Sequence, residues 1–103
     1  MASVLSVAKV DCLPAGKALA VSMGSKRIAL FNIDGRFYAI DDECTHAGGS
    51  LAEGTLNGNI VTCPWHGATF DVTNGAVLSD PAYENVGHYQ VRVEGDDIKV
   101  EIP

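Results

Sequence analysis

Two short clusters of sulfur and imidazole groups, Cys44-Thr45-His46 and Cys63-Pro64-Trp65-His66, hold most of the chemistry this chain could perform. Sixteen residues separate them and include glycine-rich turns, so each pair sits on its own loop and the two loops are free to converge. Thiolate and imidazole donors suit zinc, copper or an iron–sulfur centre, whereas calcium and magnesium ask for oxygen ligands. A structural zinc site is compatible with two Cys and two His at these short spacings. A cysteine nucleophile with one histidine base would use one pair and leave the other without a task. Cys12 has no histidine or cysteine at ligand spacing and reads as a small buried hydrophobe. His88 opens a strand-like segment far from any cysteine and reads as a packing or surface residue.

The elements that must position these loops read as strands. Ala18 to Met23, Lys26 to Ile33 and Arg36 to Ile40 are rich in β-branched, aromatic and aliphatic residues and are joined at Gly24-Ser25 and Asp34-Gly35. Asp-Gly is the stronger turn signal, because a type I′ turn needs positive φ at both central residues. Near the other end, Gln90 to Glu94 and Ile98 to Ile102 alternate apolar and polar residues across Gly95-Asp96-Asp97, a second hairpin. Between these regions lies Asp41 to Ala82, glycine-rich, with shorter strand signals at Asn59 to Thr62, Ala68 to Val72 and Ala76 to Leu78, and with a helical turn open at Leu51 to Glu53. The pattern predicts an all-β chain of sandwiched antiparallel sheets, with function in the 41–82 segment.

Bulk properties narrow the classes. At 103 residues, 47% hydrophobic and 19% charged, the chain matches one globular domain spanning 1–103. Thirteen acidic against seven basic residues and no Lys/Arg cluster argue against nucleic acid as a partner. No apolar run reaches the length of about 18 residues a spanning helix needs, and the start lacks a basic region followed by an apolar core. The expectation is therefore no membrane partner and a cytoplasmic location, which suits metal-binding thiols. The acidic run Asp41-Asp42-Glu43 reads as a solvated stretch, or as a partner-docking patch because it stands beside Cys44.

The spacing of CTH and CPWH resembles the Rieske family, whose pattern is Cys-x-His, some fifteen to seventeen residues, then Cys-x-x-His. The resemblance extends through FNIDGRFYAIDDECTHAGGSL, CPWHGATFDVTNGAV and YQVRVEGDDIKVEIP. It implies a Rieske-type antiparallel β-sandwich with a small cluster-binding subdomain of two loops, about 41–82, inserted in a basal sandwich. It implies one [2Fe–2S] cluster held by Cys44 and Cys63 on a buried iron and by His46 and His66 on an outer iron. Replacing two cysteines by histidines raises the potential above that of all-cysteine clusters. The added electron is expected on the histidine-bound iron, with the imidazole edges as electron port. Gly48, Gly49 and Gly67 either let backbone amides approach the cluster sulfurs or merely turn the chain. Pro81 falls where relatives carry a proline loop over the cluster, or is an edge or turn proline.

The chain departs from the respiratory branch of that family, whose loops are tied by a disulfide; Gly49 and Trp65 stand at those positions. Ala68 and Phe70 stand where that branch places Ser and Tyr hydroxyls near cluster sulfurs, so a potential toward the low end of the Rieske range is expected. Trp65 itself reads as space-filling beneath the loop, or as a shield or partner contact. The implied function is a one-electron carrier, not an enzyme on its own, between a flavin-containing NADH-dependent reductase and the terminal oxygenase of a ring-hydroxylating or related system. The alternatives are the small subunit of a nitrite reductase or other redox complex, and a structural zinc module.

Overall fold

The structure, a computed structural model, describes residues 3–23, 26–43, 50–64, 67–79 and 85–102. Ten strands account for most of them: β1 Ser3–Lys9, β2 Ala18–Met23, β3 Lys26–Ile33, β4 Arg36–Asp41, β5 Thr55–Asn57, β6 Ile60–Thr62, β7 Thr69–Asp71, β8 His88–Tyr89, β9 Val91–Glu94 and β10 Asp97–Ile102. Two short 3-10 helices, η1 (Val10–Cys12) and η2 (Leu51–Glu53), complete the set. Every strand pairing is antiparallel, and the strands form three sheets ordered β1-β10-β9, β2-β3-β4-β8 and β5-β6-β7.

The β3–β4 hairpin shows how local sequence sets this frame. Asp34 and Gly35 have φ of 52° and 90°, the two positive values of a type I′ turn, and they close the register at Ile33 and Arg36. The Ile28–Phe31 run in β3 is apolar and buried at every position. Ile28 and Leu30 pack with Leu13, Ala39, Ile98 and Val100, whereas Ala29 and Phe31 pack with Ile40, Leu51, Val61 and Phe70. Because side chains alternate along a strand, β2-β3-β4-β8 is covered on both faces. One face meets the β1-β10-β9 sheet, and the other meets η2 and the β5-β6-β7 sheet. A continuous apolar run in an antiparallel strand has this cause.

The sandwich is thus joined by a small third sheet inside the 41–82 segment. The helical turn open at Leu51 to Glu53 is η2. Ala76 to Leu78 makes one bridge, Val77 to Phe70, and no named strand. The second hairpin turns on two residues, Gly95 and Asp96, with only Gly95 at positive φ (62°), and β10 begins at Asp97. The Gly24-Ser25 connection lies outside the described residues.

Candidate metal centre

β4 ends at Asp41, three residues before Cys44. Beyond it the chain stays tied to the sheet, since the Asp42 amide donates to the Arg27 carbonyl at 3.0 Å. Glu43 and Ser50 then form an antiparallel bridge, so both ends of the 44–49 stretch that carries Cys44 and His46 are held together. The Asp42 carboxylate, 2% exposed, closes this base. It accepts from the Ser50 hydroxyl at 2.9 and 2.8 Å and from the Ala52 amide at 2.9 Å, with the Arg27 guanidinium 3.6 Å away. The Leu51 amide donates to the Asp42 carbonyl at 2.7 Å and places the buried Leu51 side chain in the core.

The second pair is carried by the β6–β7 hairpin. Thr62 pairs with Thr69, and the Cys63 amide donates to the Ala68 carbonyl at 2.7 Å, closing the Cys63–Ala68 loop at its first and last residues. Cys63 is 2% exposed and packs among Leu51, Val61, Ala68 and Phe70. Gly67 has φ +77°, and a Cβ there would meet nothing, so backbone conformation alone calls for glycine. The two bases meet at Gly54, which follows η2. A Cβ at Gly54 would lie 2.1 Å from the Thr62 carbonyl oxygen, so only glycine lets this segment approach the strand that delivers Cys63.

A third segment returns to the same place. Asp71 ends β7 and caps the following turn by accepting from the Thr73 amide (2.9 Å), the Thr73 hydroxyl (2.6 Å) and the Asn59 amide (3.1 Å). Desolvation pushes its carboxyl up, but the bonds from Thr73 and Asn59 outweigh this and hold it below the ordinary aspartate value. Gly75, at φ +75°, lies so close to Val86 that a Cβ would be 2.2 Å from the Val86 carbonyl oxygen, and the Val86 amide donates to the Gly75 carbonyl at 2.9 Å. Next in the chain, Gly87 and Asp41 exchange bonds. The Asp41 amide donates to the Gly87 carbonyl (2.9 Å) and the Gly87 amide to Asp41 Oδ2 (3.0 Å), while the Tyr89 hydroxyl donates to Asp41 Oδ1 at 2.5 Å.

Of the four expected ligands, Cys63 is among the described residues; Cys44, His46 and His66 lie outside them, as do Gly48, Gly49, Trp65 and Pro81. Among the described residues no group of three or more His, Cys, Asp or Glu could hold a metal. Two expectations need correction. Asp41 and Asp42 are not the solvated part of the acidic run, because their carboxylates accept from Tyr89, Gly87, Ser50 and Ala52, whereas Glu43 is exposed. Cys12 is exposed on η1 rather than buried, since that short helix buries none of its residues. His88 begins β8 opposite Ile40 and is exposed, as expected of a residue without a ligand role. The bracing roles of Ser50 and Tyr89 gave no sequence signal, since each depends on a partner eight or more residues away.

The residue types of the two Cys/His pairs suit an iron–sulfur centre, and Cys63 is buried in an apolar wall. Among the described residues no helix is long and apolar enough to cross a membrane.

Comparison with known proteins agrees. The family described as Rieske [2Fe-2S] domain matches residues 3–90. The chain is 44% identical over 93 residues to the biphenyl dioxygenase ferredoxin subunit of Pseudomonas sp. (strain KKS102), covering 89% of this chain and 85% of that one. Among solved structures it is similar to the ferredoxin of carbazole 1,9a-dioxygenase from Nocardioides aromaticivorans IC177, with TM-score 0.91 and 30% identity over 95% of this chain and 96% of that one. It is also similar to a chain in the complex of reduced oxygenase and oxidized ferredoxin in carbazole 1,9a-dioxygenase, with TM-score 0.89 and 34% identity over 94% and 91% of the two chains. Likeness along nearly the whole chain, to the family model and to a ferredoxin subunit alike, places this protein in the Rieske [2Fe-2S] domain family.

Proposed function

We propose that the chain is a one-electron carrier, with no catalysis of its own, that binds one [2Fe–2S] cluster through Cys44, His46, Cys63 and His66. Cys44 and Cys63 hold the inner iron, and His46 and His66 hold the outer iron. The cluster supplies reversible one-electron storage at a potential raised by its neutral histidine ligands. The protein's part is to fix the ligand loops: Asp42 and Ser50 hold the first, the Cys63–Ala68 backbone bond closes the second, and Gly54 joins them. The 41–82 segment acts as the cluster-binding part of a single domain over 1–103.

Electrons come from a flavin-containing, NADH-dependent reductase and go to the terminal oxygenase of a ring-hydroxylating system, in the cytoplasm. Likeness to a dioxygenase ferredoxin subunit along 89% of the chain carries this reading. It is supported by the likeness to a chain from a complex of oxygenase and ferredoxin.

Electron paramagnetic resonance of the dithionite-reduced protein, with iron and acid-labile sulfide counts, tests the cluster. A rhombic signal with average g below that of all-cysteine clusters is the expected result. A silent, colourless protein containing zinc and no sulfide overturns it. Co-purification with a large haem-containing subunit would move the assignment to the small subunit of a reductase.

A further inference from the structure

Asp41 and Asp42 are adjacent, yet their carboxylates serve two different struts that run from the start of the first ligand loop to the second ligand hairpin. The Asp42 strut is short: Ser50, Leu51, Gly54 and then Thr62, the residue before Cys63. The Asp41 strut is long. Gly87 is bonded to Asp41 through both its amide and its carbonyl, Val86 is bonded to Gly75, and the Gly75 amide donates to the Asp71 carbonyl at 2.7 Å at the far end of β7. β7 starts at Thr69, directly after the Ala68 that closes the Cys63 loop.

We propose that the Tyr89 hydroxyl is a positioning group for the cluster: by fixing Oδ1 of Asp41 while Oδ2 receives the Gly87 amide, it locks the long strut and so keeps the two ligand loops in register. The inference rests on the cluster assignment above. Three observations carry it. The 2.5 Å bond from Tyr89 and the 3.0 Å bond from Gly87 occupy opposite oxygens, so the carboxylate cannot rotate without losing one. Gly87 admits this geometry only without a side chain, since a Cβ there would come within 2.7 Å of Asp41 Oδ2 and 3.3 Å of the Tyr89 hydroxyl. The Tyr89 ring is anchored independently, by pairing with Ala39 and by packing against the core formed with Ile98 and Val100, so its hydroxyl is aimed by the rigid side of the molecule.

Tyr89→Phe keeps the ring and its packing and removes the donor. The readout is the loss of visible absorbance of the purified holoprotein in excess iron chelator, beside its electron paramagnetic resonance spectrum. The expected result is cluster loss about tenfold faster than in the native protein, the factor for one hydrogen bond to a charged acceptor, with broadened or shifted g-values. Gly95→Ala, opposed only by the positive φ of the β9–β10 turn, lowers global stability and is expected to leave both readouts at their native values. Asp41→Ala, which removes the acceptors of both the Gly87 amide and the Tyr89 hydroxyl, should repeat the Tyr89→Phe result and serves where that variant does not fold. Native behaviour in Tyr89→Phe, or equal acceleration in Gly95→Ala, overturns the positioning role. A native protein without iron and sulfide overturns the cluster assignment itself, and this inference with it.

Discussion

The Ser50 hydroxyl lies 2.9 and 2.8 Å from the two carboxylate oxygens of Asp42, across the base of the loop that carries Cys44 and His46. The carboxylate is almost fully buried, and its other partners are the Ala52 amide and the more distant Arg27. Asp42→Ala leaves the half-buried Ala52 amide and Ser50 hydroxyl without their acceptor and should cost about 3 kcal/mol, read from a urea unfolding midpoint. Arg27→Ala should cost under about 0.5 kcal/mol, because that guanidinium is 64% exposed and 3.6 Å away. Equal losses in the two variants would show that the ion pair, not the hydroxyl and amide bonds, holds the loop base.

Gly54 and Gly95 separate two reasons for glycine. At Gly54 the obstacle is backbone, the Thr62 carbonyl oxygen 2.1 Å from an added Cβ, and no side chain can move aside. Gly54→Ala should therefore cost about 3 kcal/mol and lower the iron content per chain, since the strand that must shift leads into Cys63. At Gly95 the space is open and only φ of 62° opposes a side chain, so Gly95→Ala should cost about 1 kcal/mol and leave iron content unchanged. Thermal unfolding with iron analysis distinguishes the two.

What the sequence made legible was local. Asp34-Gly35 announced its turn type, and the apolar runs of β2 and β3 showed where those strands begin and end, because propensity and turn chemistry act within a few residues. β1 and β5 went unread. β1 exists through its pairing with β10, at the opposite end of the chain, and β5 is three residues long. Of the third sheet, β6 and β7 were signalled at Asn59 to Thr62 and Ala68 to Val72, whereas their partner β5 was not. At the site, the two Cys/His pairs stood out by residue type and spacing, but the bracing did not. Asp41 and Asp42 look like any surface charge run until Tyr89 and Ser50 are brought against them.

Acid should destabilise the fold in a definite window. Asp71, Asp97 and Glu94 are held below their ordinary values, Asp71 by its Thr73 and Asn59 bonds against opposing desolvation, Asp97 by its bond to Lys9, and Glu94 by its bond to Lys99. A depressed carboxyl stabilises the fold above its unfolded pKa, about 4, and that contribution is lost as pH falls through the folded value. Lys9 is raised by Asp97, so its contribution is present below the unfolded lysine pKa and lost as pH climbs through the higher folded one. Thr73→Val, which removes the hydroxyl donor to Asp71, should flatten the acid limb of a stability–pH curve below about pH 4. An unchanged limb would remove Asp71 from this account. Salt should weaken the exposed Lys9–Asp97 and Lys99–Glu94 contributions and spare the Asp71 turn.

The potential of the bound cluster should lie toward the lower end of the Rieske range, nearer about −150 mV than +300 mV. Ala68 and Phe70 are both fully buried and offer no hydroxyl, and the Rieske resemblance implies Ser and Tyr donors to cluster sulfurs at these positions in the respiratory branch. A donor to a cluster sulfur favours the reduced form, whose negative charge is larger. If each such bond contributes about 1.5 kcal/mol, two are worth roughly 130 mV for one electron. Ala68→Ser should then raise the midpoint by roughly 65 mV in a spectroelectrochemical titration. Phe70→Tyr should raise it similarly if the core around Phe31 and Val61 admits the extra oxygen. A native midpoint well above zero would mean that backbone amides near the cluster, rather than these two hydroxyl positions, set its potential.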